Sequence, residues 1–288
     1  MELRALSYFL MIAREGTISG AANVLHLSQP TLSRQMQELE HELGCTLFER
    51  GKRRIELTEE GMRLRSRAEE IVDLVDRTER EFRTSPNTLA GEVRIGGGET
   101  RVMKEIATVI RDIQTAFPAI HFHLYSGNAQ DVTERLDKGL LDFGVLIQPA
   151  DLSRYQSLQL KGKDQWGVLM PKDSPLAAKK AIYKKDLLDL PLICSRQAIA
   201  RHISGNAFSD WFGEDFERLN IVGTFNLIYN AALLVEAGAG YAISLDGLTD
   251  TSRDSALCFR PLSPRLESRL AIVWKKDQVF SPAAQLFL

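Results

Sequence analysis

The chain has 288 residues, 44% hydrophobic and 26% charged, with 36 Lys and Arg against 38 Asp and Glu for a formal net charge of −2. That balance excludes a protein that coats nucleic acid through bulk positive charge, so any such contact has to come from a local basic cluster. No apolar run approaches the roughly 20 residues of a membrane span, and Met1-Glu2-Leu3-Arg4 does not have the layout expected of a secretory signal. Cys45, Cys194 and Cys258 lie far apart and match no metal-ligand spacing, which predicts buried free thiols in a cytoplasmic setting; a redox pair of Cys194 with Cys258 is the alternative.

Leu3, Leu6, Phe9, Leu10 and Ala13 recur at helical spacing and predict a first helix ended by Gly16. Thr17 can cap a second helix running through Ala21-Ala22 to about Leu25. His26-Leu27-Ser28 then breaks the apolar run. Ser28 is a good N-cap, and Pro30 fits a first turn whose N–H groups have no intrahelical partner. Leu32, Met36, Leu39 and Leu43 predict one buried face, closed by Gly44. Ser28, Gln29, Pro30, Thr31, Ser33, Arg34 and Gln37 crowd the N-terminal half of this helix, and Glu38, Glu40 and Glu42 the C-terminal half. Arg and Gln suit the edges of guanine and adenine, while a phosphate backbone favours a helix N-terminus and rejects an acidic end. The pattern predicts a helix-turn-helix that meets DNA by the N-terminal end of its second helix; an ordinary amphipathic surface helix is the competing reading. Beyond Gly44, two short extended runs flank Gly51 and predict a β-hairpin wing. Its Arg50, Lys52, Arg53 and Arg54 are candidates for phosphate or minor-groove contact.

The stretch from Phe9 to Gly61 resembles the winged helix-turn-helix of LysR-type transcriptional regulators. The matching residues are Ala21-Ala22, Leu25, Ser28-Gln29-Pro30, Ser33, Leu39-Glu40, Leu43-Gly44, Leu47-Phe48-Glu49-Arg50 and Leu57-Thr58-Glu59-Glu60-Gly61. Gly20 departs from the longer polar residue usual in that family. Thr58 caps a long helix with Glu59 and Glu60 in its first turn. Leu64, Ala68, Ile71, Val75, Thr78 and Phe82 then follow at steps of four and three, an a/d seam. No apolar partner helix is evident nearby in sequence, and the resemblance implies that this linker helix pairs with its copy in a second subunit. A hinge is expected at Ser85-Pro86-Asn87.

From Gly91 the pattern alternates. Strands are predicted at Glu92–Gly96, Ile120–Tyr125, Asp142–Ile147, Trp166–Met170, Leu192–Cys194, Ile221–Thr224, Tyr241–Ser244 and Arg269–Trp274. Helices are predicted at Val102–Phe117, Val132–Lys138, Lys184–Leu188, Ala200–Phe212, Leu227–Ala237 and Pro282–Leu288. The family resemblance extends here through Phe117-Pro118, Gly139-Leu140-Leu141-Asp142-Phe143-Gly144-Val145 and Val235-Glu236-Ala237-Gly238-Ala239-Gly240-Tyr241-Ala242. It implies an α/β effector-binding half, like periplasmic small-molecule binding proteins, after an α-rich winged helix-turn-helix domain and a long linker helix. The expected divisions are 1–57 for the DNA-binding domain, 58–87 for the linker and hinge, and 91–288 for the effector domain. The last divides into subdomain I (91–160 plus 266–288) and subdomain II (161–265), joined by crossing segments near 158–163 and 262–268.

Ligands of parallel sheets lie outside the carboxyl ends of the strands. That rule offers Gly98, Glu99, Thr100 and Arg101 after the first strand, then Asn128, Ile147, Ser195, Arg196, Gln197, Asn226 and Asp246. The loop Gly96-Gly97-Gly98-Glu99-Thr100 can equally be a plain strand-to-helix turn with Thr100 as N-cap. Glu99 departs from the Ser and Thr common in the family at this turn, and would repel an anion unless turned away or paired with Arg101. Asp246 is a second acidic departure. Arg201 and His202 are further anion candidates, although surface solvation suits Arg201 better. His121 and His123 alternate on one strand without partners at ligand spacing, so no metal or cofactor is expected. No nucleophile elbow or carboxylate pair suggests an enzyme. The expected function is a regulator that binds an inverted-repeat DNA operator as a homodimer or homotetramer, responds to a small-molecule effector and meets RNA polymerase. The alternative is a small-molecule-binding module whose N-terminal domain serves assembly alone.

Overall fold

A computed structural model describes residues 1–50, 55–83, 89–200 and 206–288, with the side chains of Arg50, Arg77, Arg80 and residues 81–83 outside the description. The expected wing tip with Lys52, Arg53 and Arg54, the expected hinge at Ser85-Pro86-Asn87, Arg201 and His202, and the Phe82 side chain therefore lie outside it. The chain divides into two units, Met1–Ser85 and Pro86–Leu288.

The first unit contains α1 (Leu3–Glu15), α2 (Ile18–Val24), α3 (Gln29–Leu43), β1 (Phe48–Arg50), β2 (Ile55–Leu57) and α4 (Glu59–Arg83). Gly16 ends α1 at φ 68°, and the Thr17 hydroxyl accepts from the Gly20 amide at 3.0 Å to start α2. Ala21 and Ala22 are buried, so α2 lies close against α1 and α3. Phe9, Leu32, Leu39 and Leu47 fill the core of this unit. Leu43 does not join them: it is 39% exposed, because α3 ends there at Gly44 and the chain turns back so that Leu47 supplies the next core side chain. Glu40 ties that turn to α3 by accepting from the Leu47 and Phe48 amides at 2.7 and 3.3 Å. Thr58 caps α4 through the Gly61 amide at 2.9 Å and also donates to the Thr46 carbonyl. A Cβ on Gly61 would lie 2.2 Å from the Leu47 carbonyl oxygen, so only glycine allows this approach.

The expected seam of α4 needs correcting. Ala68 is fully buried in the core of its own unit, with Leu64 and Val72 packed against the same cluster, because α1 lies alongside α4 and is the apolar partner that sequence proximity did not reveal. Ile71 and Leu74 remain 39% exposed and Val75 is partly exposed.

The second unit is built on β3 (Gly91–Gly97), α5 (Met103–Ala116), β4 (Ile120–Ser126), α6 (Ala129–Asp137), β5 (Phe143–Ile147), β6 (Tyr155–Pro171) and β7 (Leu192–Ser195). It continues with α7 (Ala207–Phe212), β8 (Ile221–Phe225), α8 (Ile228–Glu236), β9 (Tyr241–Leu245), β10 (Leu257–Pro261), β11 (Glu267–Lys275) and α9 (Pro282–Phe287). The strand order is β4-β3-β5-β11-β6-β9-β7-β8, with β10 also on β6. Strands β3, β4 and β5 are mutually parallel, as are β7, β8 and β9, whereas β11 runs antiparallel to β5 and β6.

Strand β6 is 17 residues long, well beyond the expected 166–170, and belongs to both halves of the unit. Up to Gln165 it pairs with β11, and from Trp166 it pairs with β9 and β10. The changeover thus falls at Gln165/Trp166, later than the expected 160/161 division. The first half of β6 is an edge with one neighbour, which is why its sequence is polar and did not read as a strand. Strand β10 was not among the expected strands because its apolar run, Leu257-Cys258-Phe259, is short and stops at Arg260-Pro261. The expected helix 200–212 reduces to α7 within the described residues, and the expected helix 184–188 to one 3-10 turn at Lys184–Asp186. Two main apolar cores lie on either side of the changeover, one around Val93, Ile95, Phe143 and Ile272, the other around Val168, Met170, Phe208 and Ile243.

Candidate functional site

On α3 the two faces separate cleanly. Leu32, Met36 and Leu39 are at most 3% exposed, whereas Gln29, Pro30, Thr31, Arg34 and Gln37 are exposed and Ser33 is half-buried. The Ser28 hydroxyl accepts from the Thr31 amide at 3.3 Å, and Pro30 sits in the first turn, so the N-terminal end is fixed without using the outward side chains. His26 turns the chain between α2 and α3 at φ 54°. Arg34 pairs with Glu38 at 2.9 Å but is 80% exposed, a bond that solvent screens and that a phosphate or base edge can replace. Strands β1 and β2 pair as a hairpin with Arg50 opposite Ile55.

In the second unit, the ends of β3, β5, β7, β8 and β9 surround a cavity of about 60 Å³ that opens partly to solvent. Seven of the expected residues line it: Gly98, Glu99, Asn128, Ile147, Ser195, Gln197 and Asn226. Gln148, beside Ile147 at the same strand end, lines it too, and the remaining walls are Pro149, Trp166, Ala198, Phe225, Leu227, Ile228, Ser244, Leu245 and Leu248. A signal for two of these walls is present in the sequence, since Phe225 and Leu245 directly precede the expected Asn226 and Asp246.

Four expected residues are not among the walls. The Thr100 hydroxyl donates to the buried Asp164 at 2.6 Å and accepts from the Val102 amide at 2.9 Å. It therefore caps a turn, and α5 begins only at Met103, so Thr100 is not the N-cap of that helix. Burial raises the Asp164 carboxyl above its ordinary range, against the lowering effect of the Thr100 hydrogen bond. Arg101 and Asp246 bond to each other at 3.0 Å across the two halves. Arg196 faces a separate, wider opening that it shares with Arg154 and Tyr155.

Of the two possibilities for Glu99, turned away or paired with Arg101, the structure shows neither. The Ile228 amide, in the first turn of α8, donates to the Glu99 carboxylate at 2.8 Å. The helix-terminal N–H has no intrahelical partner and sits at the positive end of the helix dipole, while Arg101 is engaged by Asp246. Gln197 makes the other crossing: its amide nitrogen donates to the Ile147 and Pro149 carbonyls at 2.6 and 2.8 Å, and its oxygen accepts from the Ala129 amide at 3.0 Å.

Elsewhere, His123 lies 3.7 Å from Glu92, whose carboxylate also accepts from Arg94 at 2.9 Å. Among the described residues no cluster of three potential metal ligands forms. Cys194 and Cys258 are buried free thiols, and burial pushes Cys194 up to about 12, which leaves too little thiolate for the redox reading. Among the described residues no helix is long and apolar enough to cross a membrane.

Residues 86–288 match the family described as LysR substrate binding domain, and residues 3–62 match the bacterial regulatory helix-turn-helix protein, lysR family. The uncharacterized HTH-type transcriptional regulator YfeR of Shigella flexneri is 27% identical over 289 residues, spanning 98% of this chain and 91% of its own. The probable RuBisCO transcriptional regulator of Synechocystis is 27% identical over 283 residues, spanning 96% and 81%. The solved structure of full-length CbnR complexed with its target DNA is similar with a TM-score of 0.72 at 23% identity, covering 100% of this chain and 97% of that one, a likeness of fold. With both of its units matched in order, the chain belongs to the LysR family of transcriptional regulators, which join a DNA-binding helix-turn-helix to an effector-binding domain.

Proposed function

We propose that the N-terminal end of α3 enters the major groove, where Gln29, Ser33 and Arg34 meet base edges. Ser28, Thr31 and Gln37 flank them, and Arg50, Lys52, Arg53 and Arg54 of the wing lie along the phosphates. The observation that carries this reading is the separation of faces on α3: the polar set is outward and free of core duty. That CbnR has been solved on its target DNA supports it. Two copies joined along α4, through Ile71 and Val75 with Phe82 further on, read an inverted repeat with half-sites about one helical turn apart. The homodimer can pair again into a homotetramer. The domains are then 1–57, 58–87 and 91–288, and the effector occupies the cleft between subdomains I and II. Its binding shifts the operator complex only in so far as its affinity differs between open and closed clefts. The protein acts in the cytoplasm, where DNA and RNA polymerase are both at hand.

Anisotropy with a short duplex across a salt series tests the DNA-binding surface. Affinity should fall linearly on a log–log plot, with a slope near −0.9 for each phosphate contacted. A flat plot would leave α3 and the wing as an assembly surface and restore the alternative reading.

A further inference from the structure

We infer that the cleft selects a small, largely apolar molecule bearing an N–H or O–H donor and no carboxylate, with Glu99 as its polar anchor. The inference rests on the reading of this cleft as the effector site. A helix N-terminus is where a protein most readily holds an anion, because its first amides lack partners and the peptide dipoles point their positive ends there. At α8 the first of these amides is already taken. Ile228 donates to Glu99 at 2.8 Å, and the preceding Leu227 amide donates to the Asn226 side-chain oxygen at 2.9 Å. The chain's own carboxylate, brought from the other half of the unit, stands where a ligand's carboxylate would otherwise bind.

The charge around it points the same way. Glu99 is the one ionisable side chain among the described residues that line the cavity, and no Lys, Arg or His is among them. Among the described residues, a carboxylate ligand would meet a like charge without a compensating cation in the lining. Arg101, the cation nearest in sequence, is engaged by Asp246. One Glu99 oxygen takes the Ile228 amide, and the carboxylate has further acceptor capacity for a ligand donor. Trp166, Phe225 and Leu245 offer apolar walls for the rest of the molecule. Gln197 is already committed on both its nitrogen and its oxygen, so the anchor of highest charge is Glu99.

The test is calorimetric titration of the full chain with three probes of one ring size: benzamide, benzylamine and benzoate. The wild type should bind benzamide or benzylamine at least about tenfold more tightly than benzoate, since a like charge in a partly desolvated site is costly. Glu99→Gln keeps an oxygen for the Ile228 amide and removes the charge, and should bring benzoate to within about threefold of benzamide. Gly98→Ala adds a methyl 2.8 Å from the Ile147 Cδ1 atom and should weaken all three probes by narrowing the cavity. Benzoate binding the wild type as tightly as benzamide overturns the inference, as does a preference that survives in Glu99→Gln, or no binding by any probe. If the Gly98→Ala change weakens the probes while benzoate is not disfavoured, the ligand class falls and the cleft stands. If Gly98→Ala leaves every affinity unchanged, the cleft itself is not where the probes bind.

Discussion

Gln29 and Asp164 show what single residues do in this chain, one exposed and one enclosed. Gln29 sits on the open side of α3, so Gln29→Ala should leave thermal unfolding within about 0.5 kcal/mol of wild type. The same change should relax base preference at one position of each half-site by roughly 1–3 kcal/mol, measured by selection from a randomised half-site library. Preference intact at every position would remove Gln29 from base reading. Asp164 behaves differently because burial raises its carboxyl above the ordinary 3.8. The folded chain then holds that proton more tightly than the unfolded chain, so the contribution of the group to stability is greatest below the ordinary value and falls as pH rises through the folded one. Asp164→Asn keeps an oxygen for the Thr100 hydroxyl and should flatten this fall, which urea midpoints taken between about pH 3 and pH 7 will show. Unchanged slopes would mean that Asp164 ionises as freely as an exposed carboxyl. The caps at Thr17, Ser28 and Thr58 were legible in the sequence because each acts within four residues of itself. The partner of Thr100 was not, since Asp164 lies in another strand and no local pattern announces it.

At the scale of elements, α4 carries the sharpest contrast between pattern and packing. A repeat of four and three identifies an apolar stripe but does not say what covers it. Along the first turns the cover is α1 of the same unit, which buries Ala68 completely; only from Ile71 onward is the stripe open. The double variant Ile71→Asp and Val75→Asp should therefore leave the unit folded. In a dimer joined along this stripe it should weaken self-association by at least about 2 kcal/mol for each charge it buries, read by sedimentation at low concentration. Wild-type mass at every concentration would place the dimer contact elsewhere. Ala68→Asp is the control, expected to unfold the unit rather than dissociate it. The inner parallel strands β5, β7 and β9 were legible because their runs are apolar on both faces, as a covered sheet requires, and β4 because Ile120, Phe122 and Leu124 alternate with polar residues. The first half of β6 escaped notice because an edge strand with one neighbour keeps a polar composition, and β10 because its apolar run, Leu257-Cys258-Phe259, is short and stops at Arg260-Pro261.

For the molecule's second unit, the two halves are held together by contacts of unequal strength. Gln197 makes three half-buried hydrogen bonds, each worth about 1 kcal/mol net, whereas the solvated Arg101–Asp246 pair is worth about 0–1 kcal/mol. Gln197→Ala should favour the open cleft by about 2–3 kcal/mol and speed hydrogen exchange at the Ala129 amide by at least tenfold, with Asp246→Asn changing it little. Unaltered exchange in Gln197→Ala would assign closure to other contacts. The alternating pattern gave the α/β class and the family resemblance implied the two halves, but their bonds to each other were not legible, because glutamine in a loop carries no mark of the distant carbonyls it meets. The shared strand has a further consequence, for the order in which the chain comes together on the ribosome. Strand β6 can complete its pairing with β9 and β10 once residue 261 has emerged. The half begun earlier, at β3, still waits for β11, which must slot between β5 and β6. The half that starts first in the chain is thus the one finished last, and until β11 arrives the flank of β5 is an unpaired edge exposed to any other strand in reach.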